Sequence, residues 1–224
     1  MKVIARIQSA FPEKFGIPRQ SGLVEELQAR IVFEPEYRSV DAVRGLDEFS
    51  HLWLIWEFSE AKRDSWSPTV RPPRLGGNQR MGVFATRSPF RPNPVGLSCV
   101  KLDRVETDTE LGPVIHVRGA DLMDGTPIFD IKPYIPYADC RPEAVGGFAS
   151  DKPEEKLRVD IPEEFCPVAA PEVINALRGV LAQDPRPAYQ KDPERIYGLS
   201  FAGMEVRFRV DGDRLTVCGI EMKK

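Results

Sequence analysis

His51-Leu52-Trp53-Leu54-Ile55-Trp56-Glu57-Phe58 is a near-continuous apolar run of eight residues. At that length it reads as a strand, and its lack of alternation predicts burial on both faces. Working outward, Val3–Gln8 is short and apolar. Leu27–Phe33 alternates strictly, with Leu27, Ala29, Ile31 and Phe33 on one face and Gln28 and Arg30 on the other. Gly82–Thr86, Leu97–Glu106 and Val114–Arg118 follow, each bounded by Gly or Pro. Six or more short strands with few helical intervals predict a closed or nearly closed antiparallel barrel, a mainly β fold with some α.

Proline supports that class. The chain holds 21 prolines in 224 residues, about 9% against a usual share of about 5%. Because proline lacks a backbone donor and clashes with the preceding helical turn, it excludes long-helix bundles, coiled coils and helical solenoids. A hydrophobic share of 42% excludes wholesale disorder. No apolar run reaches the ~18–20 residues that span a bilayer, and Met1–Ala10 does not read as a signal peptide, so a cytoplasmic protein is expected. Cys99, Cys140, Cys166 and Cys218 stand far apart without a CxxC. Reduced, mostly buried thiols and no metal site are the expectation.

Near Tyr137 the texture changes, and a boundary is placed at about residue 138. Ala138–Pro167 is polar, acidic and proline-containing, which suits a linker or a wrapping segment. Pro171–Gln183 predicts a helix, with proline in the first turn and Val173, Leu177, Val180 and Leu181 on one stripe. Met204–Val210, the turn Asp211-Gly212 and Arg214–Ile220 predict a hairpin. Residues 139–224 thus read as a linker and a small α+β domain behind a barrel of residues 1–138.

The net charge of −3 hides an uneven distribution. Between Lys62 and Arg91 seven bases face one acid, Asp64, for a net +6 over thirty residues, and the remainder carries −9. Most of these bases are arginines, whose planar fork suits phosphates and carboxylates. The same window is rich in proline and glycine, so it reads as a stiff basic loop prepared for an anionic partner. Within it, Ser88, Arg91 and Asn93 each precede a proline and are forced out of helical geometry, which lowers the ordering cost of binding.

Common catalytic signatures are missing. The sequence contains no GxxxxGK[ST], GxSxG, HExxH or EF-hand loop, and Arg74-Leu75-Gly76-Gly77-Asn78 does not lead from a strand into a helix. His51 and His116 both sit in strand-like surroundings and read as structural. In the stretch Asp121-Leu122-Met123-Asp124-Gly125-Thr126-Pro127, the four residues from Asp124 to Pro127 predict a tight turn that presents free amides, a hydroxyl and a carboxylate together.

Several strings, taken in order, resemble one family. They are Lys14-Phe15-Gly16-Ile17-Pro18-Arg19-Gln20, Ala42-Val43-Arg44-Gly45-Leu46, Ser50-His51-Leu52-Trp53, the run from Pro68 to Asn78, the run from Met81 to Gly96, Asp124-Gly125-Thr126-Pro127 with Asp130 to Tyr134, and the stretch from Leu181 to Tyr189. Together they are similar to the TsaA-like (TrmO) tRNA methyltransferases, which use S-adenosylmethionine to methylate N6-threonylcarbamoyladenosine beside the anticodon.

The resemblance implies a non-Rossmann, cofactor-binding barrel, a C-terminal domain that helps hold tRNA, and a homodimer. It also implies cofactor contacts at Pro18, Arg19, Gln20, Ser59, Glu60, Arg87, Leu97, Asp124, Gly125 and Thr126. Several relatives carry a histidine where this chain has Ser59-Glu60. The sulfonium of the cofactor is cationic, so Arg19 or Arg87 should hold its carboxylate instead. Leu97 would pack the adenine, and Asp124 or a neighbour would suit ribose hydroxyls or the adenine amino group. The acceptor nitrogen must lose a proton, for which Asp184, Asp130 and His51 are the base candidates. Arg71, Arg74, Arg80, Arg91 and Arg186 are candidates for tRNA phosphates. Two other readings stay open: a non-catalytic cofactor- or RNA-binding barrel, and a methyltransferase with another substrate.

Overall fold

The computed structural model describes residues 1–61, 65–72, 75, 79–150, 157–186 and 192–223. In chain order its strands are β1 (Ala5–Gln8), β2 (Gln28–Phe33), β3 (His51–Glu57), β4 (Thr69–Val70), β5 (Met81–Gly82), β6 (Val95–Glu106), β7 (Val114–Arg118), β8 (Pro127–Pro133), β9 (Arg158–Asp160), β10 (Tyr197–Phe201), β11 (Met204–Asp211) and β12 (Arg214–Met222). Two α-helices are present among the described residues, α1 (Pro136–Asp139) and α2 (Pro171–Ala182).

Six strands close a barrel in the order β1-β2-β7-β6-β3-β8, with antiparallel neighbours throughout. The alternation in β2 does what the sequence predicts: Ala29, Ile31 and Phe33 are buried and Gln28 and Arg30 are exposed. They meet Ala5, Ile7, Leu52, Leu54, Val100, Ile115, Val117 and Ile128 in an interior filled by side chains. Register shifts, of the kind that bends a strand, interrupt the β3–β8 pair between Ile55 and Trp56 and the β6–β7 pair between Leu102 and Arg104.

Three sequence expectations need correction. The apolar run in β3 is not buried on both faces: Leu52, Leu54 and Trp56 point into the barrel, while His51, Trp53 and Ile55 lie half-covered on its outside. A barrel has a single interior, so continuous hydrophobicity here reflects a partly covered outer wall. Gly82–Thr86 is not a strand. Only Met81–Gly82 pairs, with β4, and a 3-10 turn at Val83–Ala85 follows. The cysteines are free, but Cys140 and Cys218 are exposed and Cys99 and Cys166 are half-buried.

A second sheet, β10-β11-β12-β9, packs against α2. Met204, Val206, Phe208 and Val210 all face its core, as the alternation requires. On α2 the buried positions are Ile174, Ala176, Leu177, Val180 and Leu181, while Val173 is only half-buried, so the apolar stripe is rotated slightly from the predicted one. The Ala138–Pro167 stretch contributes β9, which adds parallel to the start of β12. Among its described residues the rest of the stretch includes 3-10 turns at Gly147–Ala149 and Glu163–Val168.

The N-terminal unit contributes side chains to the second core. Between β1 and β2 the chain leaves the barrel, and Phe11, Val24 and Leu27 join the second cluster. Phe11 meets Phe201 edge-on at 5.4 Å, and the Ala202 amide donates to the Ala10 carbonyl at 2.8 Å. Gly16 has φ +87° there, and a Cβ would lie 2.3 Å from Leu199 Cδ1, so both backbone and space require glycine. This packing fixes the Lys14–Gln20 loop beside the barrel rim, which positions the site.

Candidate active site

The strand directions bring the ends of β1, β3 and β7 and the beginnings of β2, β6 and β8 to one rim of the barrel. The loops at this rim carry most of the residues that the sequence singles out. Arg87, on the proline-rich loop before β6, donates from Nη1 to Gln20 Oε1. Gln20 in turn donates to the Arg19 carbonyl. Pro18 is buried and Arg19, Gln20 and Arg87 are exposed, so an apolar anchor holds three polar side chains at the surface. Lys14 Nζ reaches the Glu60 carbonyl at 3.0 Å, which ties the Ser59–Ala61 turn to the same loop.

Within reach of the Arg87 charge lies a carboxylate outside the expected site residues. Asp121 accepts from Ser98 Oγ at 2.6 Å, and Ser98 accepts from Trp56 Nε1 at 3.0 Å. Ser98 is buried inside the barrel wall, opposite Leu54 in the β3–β6 pair. Burial pushes the Asp121 carboxyl above its ordinary value near 3.8; the Ser98 hydroxyl, the backbone amide of Ser21 and the Arg87 charge pull the other way. Asp121 therefore joins the barrel wall, the loop after β1 and the Arg87 loop. The available signal was Ala120-Asp121-Leu122, an acid between two apolar residues, both of which prove to be buried.

A raised carboxyl in the fold binds its proton more tightly than in the unfolded chain. Its contribution to stability is full below the unfolded value and is lost as pH rises through the folded one. Asp121→Asn cannot ionise. Urea unfolding from about pH 4 to about pH 7 should show wild-type stability falling relative to this variant. Parallel curves would remove Asp121 from that role.

The Asp124–Thr126 turn differs from expectation. Its amides are not free: Asp124 donates to Phe11, Gly125 to Ile7 and Thr126 to Met123, all carbonyls. Asp124 Oδ1 accepts the Ser9 amide at 2.9 Å, and the buried Thr126 hydroxyl donates to Met123 at 2.6 Å. The turn is stitched to β1 because a rim loop must satisfy its backbone once strands converge beneath it. The Asp124 side chain stays exposed. Leu97 lies on the outer wall, 55% exposed, opposite Ile55, which itself pairs with Asp130. Leu97 thus occupies the other face of β6 from Ser98.

The three base candidates are separated. His51 begins β3 at the opposite end of the barrel, with Nδ1 2.9 Å from Ser50 Oγ. Asp130 binds Lys132 at 3.1 Å on the outer wall. Asp184 lines a cleft of about 150 Å³ together with Lys14, Pro18 and Arg19. It has φ 51°, and both its oxygens accept from Arg186, at 2.8 and 2.9 Å. The Arg186 side chain is only 12% exposed. That guanidinium is mostly buried and holds the loop through Asp184.

Among the other basic candidates, Arg71 and Arg80 are exposed, and Arg80 donates to Thr69 Oγ1 at 3.3 Å. Arg91 is half-buried and donates to the Thr86 carbonyl at 3.1 Å. Arg74 lies outside the described residues. Among the described residues no cluster of acids, histidines and cysteines could hold a metal ion, and no helix is long and apolar enough to cross a membrane.

Family models match both units: the tRNA-methyltransferase O N-terminal domain over residues 6–140 and the TrmO C-terminal domain over residues 156–223. The chain belongs to the tRNA-methyltransferase O family. An Escherichia coli relative named tRNA (adenine(37)-N6)-methyltransferase is 42% identical over 226 residues, covering 97% of this chain and 96% of that one. A relative of the same name from Eikenella corrodens is 49% identical over 164 residues, covering 73% and 92%. The crystal structure of TrmO from Pseudomonas aeruginosa superposes with a TM-score of 0.79 at 33% identity, covering 98% of this chain and 96% of that one. The family's barrel and its C-terminal sheet are both present here.

Proposed function

We propose that this chain transfers a methyl group from S-adenosylmethionine to N6 of N6-threonylcarbamoyladenosine at position 37 of tRNA, with threonine tRNA favoured. The observation that carries this reading is the rim where Arg87, Gln20 and Asp121 meet beside a basic loop, in a chain that matches the Escherichia coli relative over nearly its full length. In this reading residues 1–138 bind the cofactor, residues 139–224 are a linker and a small domain that helps hold tRNA, and the chain works as a cytoplasmic homodimer without a metal.

The rim suits the cofactor's chemistry. Exposed Arg19 and Arg87 offer forked donors to a carboxylate, with Arg87 already oriented by Gln20. Exposed Asp124 offers an acceptor to hydroxyls, and Leu97 an apolar wall to a base. Ser59 and Glu60 complete the set from the turn that Lys14 holds. When bound, the sulfonium supplies an electrophilic methyl. The protein's part is to hold the acceptor nitrogen in line with that methyl and sulfur, and alignment is the main source of rate in such a displacement. The nitrogen's proton needs an acceptor, and of the three candidates Asp184 lines the cleft with Pro18 and Arg19.

The test is labelled S-adenosylmethionine with threonine tRNA that either carries or lacks the threonylcarbamoyl group. Label in the modified tRNA alone supports the reading, and no label in any RNA sinks it. Label in unmodified tRNA would instead assign another substrate. Cofactor binding without transfer would leave a binding barrel. Phosphate contacts should also make tRNA affinity fall steeply with salt. Arg71→Ala and Arg80→Ala should each lower the slope of log K against log salt by about 1. An unchanged slope would take that arginine off the phosphate list.

A further inference from the structure

Two large aromatic rings stand in solvent within the basic loop. Trp66 is 52% exposed and Phe84 is 70% exposed, and their rings lie 6.0 Å apart at 33°. They come from segments separated in sequence and joined by structure. Thr69 pairs with Gly82 and Val70 with Met81 in the β4–β5 ribbon, and the Val83 amide donates to the Pro68 carbonyl at 2.9 Å. Phe84 sits in the 3-10 turn that begins where the ribbon ends. The pair is therefore held on a pinned ribbon.

The stretch of sequence that carries it has one sign of charge. From Ser65 to Gly96 the sequence has five arginines and no aspartate or glutamate. Arg71 follows β4 directly, and Arg80 precedes β5 and bonds Thr69 on the ribbon. Exposing rings costs free energy in proportion to their wetted area, and neither ring belongs to the barrel core or to the second core. Aromatic faces beside guanidinium groups match a strand that alternates flat, unpaired bases with phosphates. A neutral apolar partner would not use the arginines, and a duplex would not expose base faces to the rings.

We propose that Trp66 and Phe84 form a stacking platform for unpaired bases of the RNA loop that carries the target adenosine. The proposal rests on the tRNA reading above and deepens it by assigning residues to the nucleobases. An enzyme that works on a base must draw it from its neighbours, which then lose a stacking partner. The two rings supply a replacement face. Recognition here is by stacking and is tolerant of base identity, whereas Arg71 and Arg80 answer to phosphate charge.

The experiment uses the full chain and a synthetic anticodon stem-loop RNA, with and without the threonylcarbamoyl group. Dissociation constants for RNA and for S-adenosylmethionine are measured for wild type, Trp66→Ala, Phe84→Ala, Trp66→Phe and Phe84→Tyr, at several salt concentrations. Each alanine variant should weaken RNA binding by about five- to a hundredfold. Its salt slope and its cofactor affinity should stay at the wild-type values, and the two aromatic replacements should restore most of the RNA affinity.

Wild-type RNA affinity in both alanine variants overturns the platform. So does a loss that the aromatic replacements fail to restore. If the variants change the sedimentation of the protein and leave RNA affinity alone, the patch joins copies of the chain and the proposal falls. If wild type binds neither RNA, the tRNA reading fails first and takes the platform with it.

Discussion

Arg87→Ala should weaken S-adenosylmethionine binding by about ten- to a hundredfold while the fold survives. A hydrogen bond to a charged group contributes about 1.5–3 kcal/mol, and a fork that grips a carboxylate sits at the upper part of that range. Arg87 is the better placed of the two rim arginines, because Gln20 already fixes its Nη1. Arg19 is exposed and joins this chain of contacts through its backbone carbonyl. Removing Arg87 also strips a favourable charge from Asp121, whose carboxyl burial already disfavours ionisation. A small loss of stability above the acid range is expected, well short of unfolding. Arg87→Lys keeps the charge and loses the fork, so it should recover only part of the affinity. Calorimetric titration of the cofactor, with circular dichroism as the control for folding, decides the matter. Unchanged affinity in Arg87→Ala would remove this residue from the cofactor site.

How much of this was readable beforehand depends on which force sets each element. β2 and β11 alternate in sequence because each has one wet face and one dry face, and they appear with the predicted inward residues. β8 carries no such pattern. Pro127-Ile128-Phe129-Asp130-Ile131-Lys132-Pro133 has prolines at both ends, and its place between β3 and β1 comes from closure of the barrel. β9 is three residues long and exists because it adds to an edge of β12. Long-range pairing of this kind leaves no local signature.

The rim shows the same division. Arg87 and Gln20 were legible because they lie in strings shared with a family. Asp121, Ser98 and Trp56 were not, since their link spans β3, β6 and the loop before β8. No spacing rule connects positions 56, 98 and 121. Trp66 and Phe84 were equally hidden, because exposure is what sets them apart and a sequence does not print exposure.

Gly96 is where fold and site meet, and its substitution should disturb both. A Cβ there would lie 2.3 to 2.7 Å from Cε2, Cζ2 and Cδ2 of the Trp56 indole, distances that demand a shift. Trp56 has little room to give, being buried and packed on Phe58 with ring centroids 4.2 Å apart. Gly96→Ala should therefore lower stability by about 1–3 kcal/mol, the usual cost of overpacking, read as a lower urea midpoint with an unchanged slope. Moving the indole also pulls Nε1 from Ser98, and Ser98 is what holds Asp121. Cofactor affinity should fall with stability, although Gly96 itself offers no side chain to a ligand. The smaller ring in a Gly96→Ala, Trp56→Phe double variant relieves the clash but has no N–H for Ser98. That pair should regain part of the lost stability without regaining full cofactor affinity. A Gly96→Ala protein as stable as wild type would show that the indole moves freely, and the path from barrel wall to Arg87 would then carry no constraint.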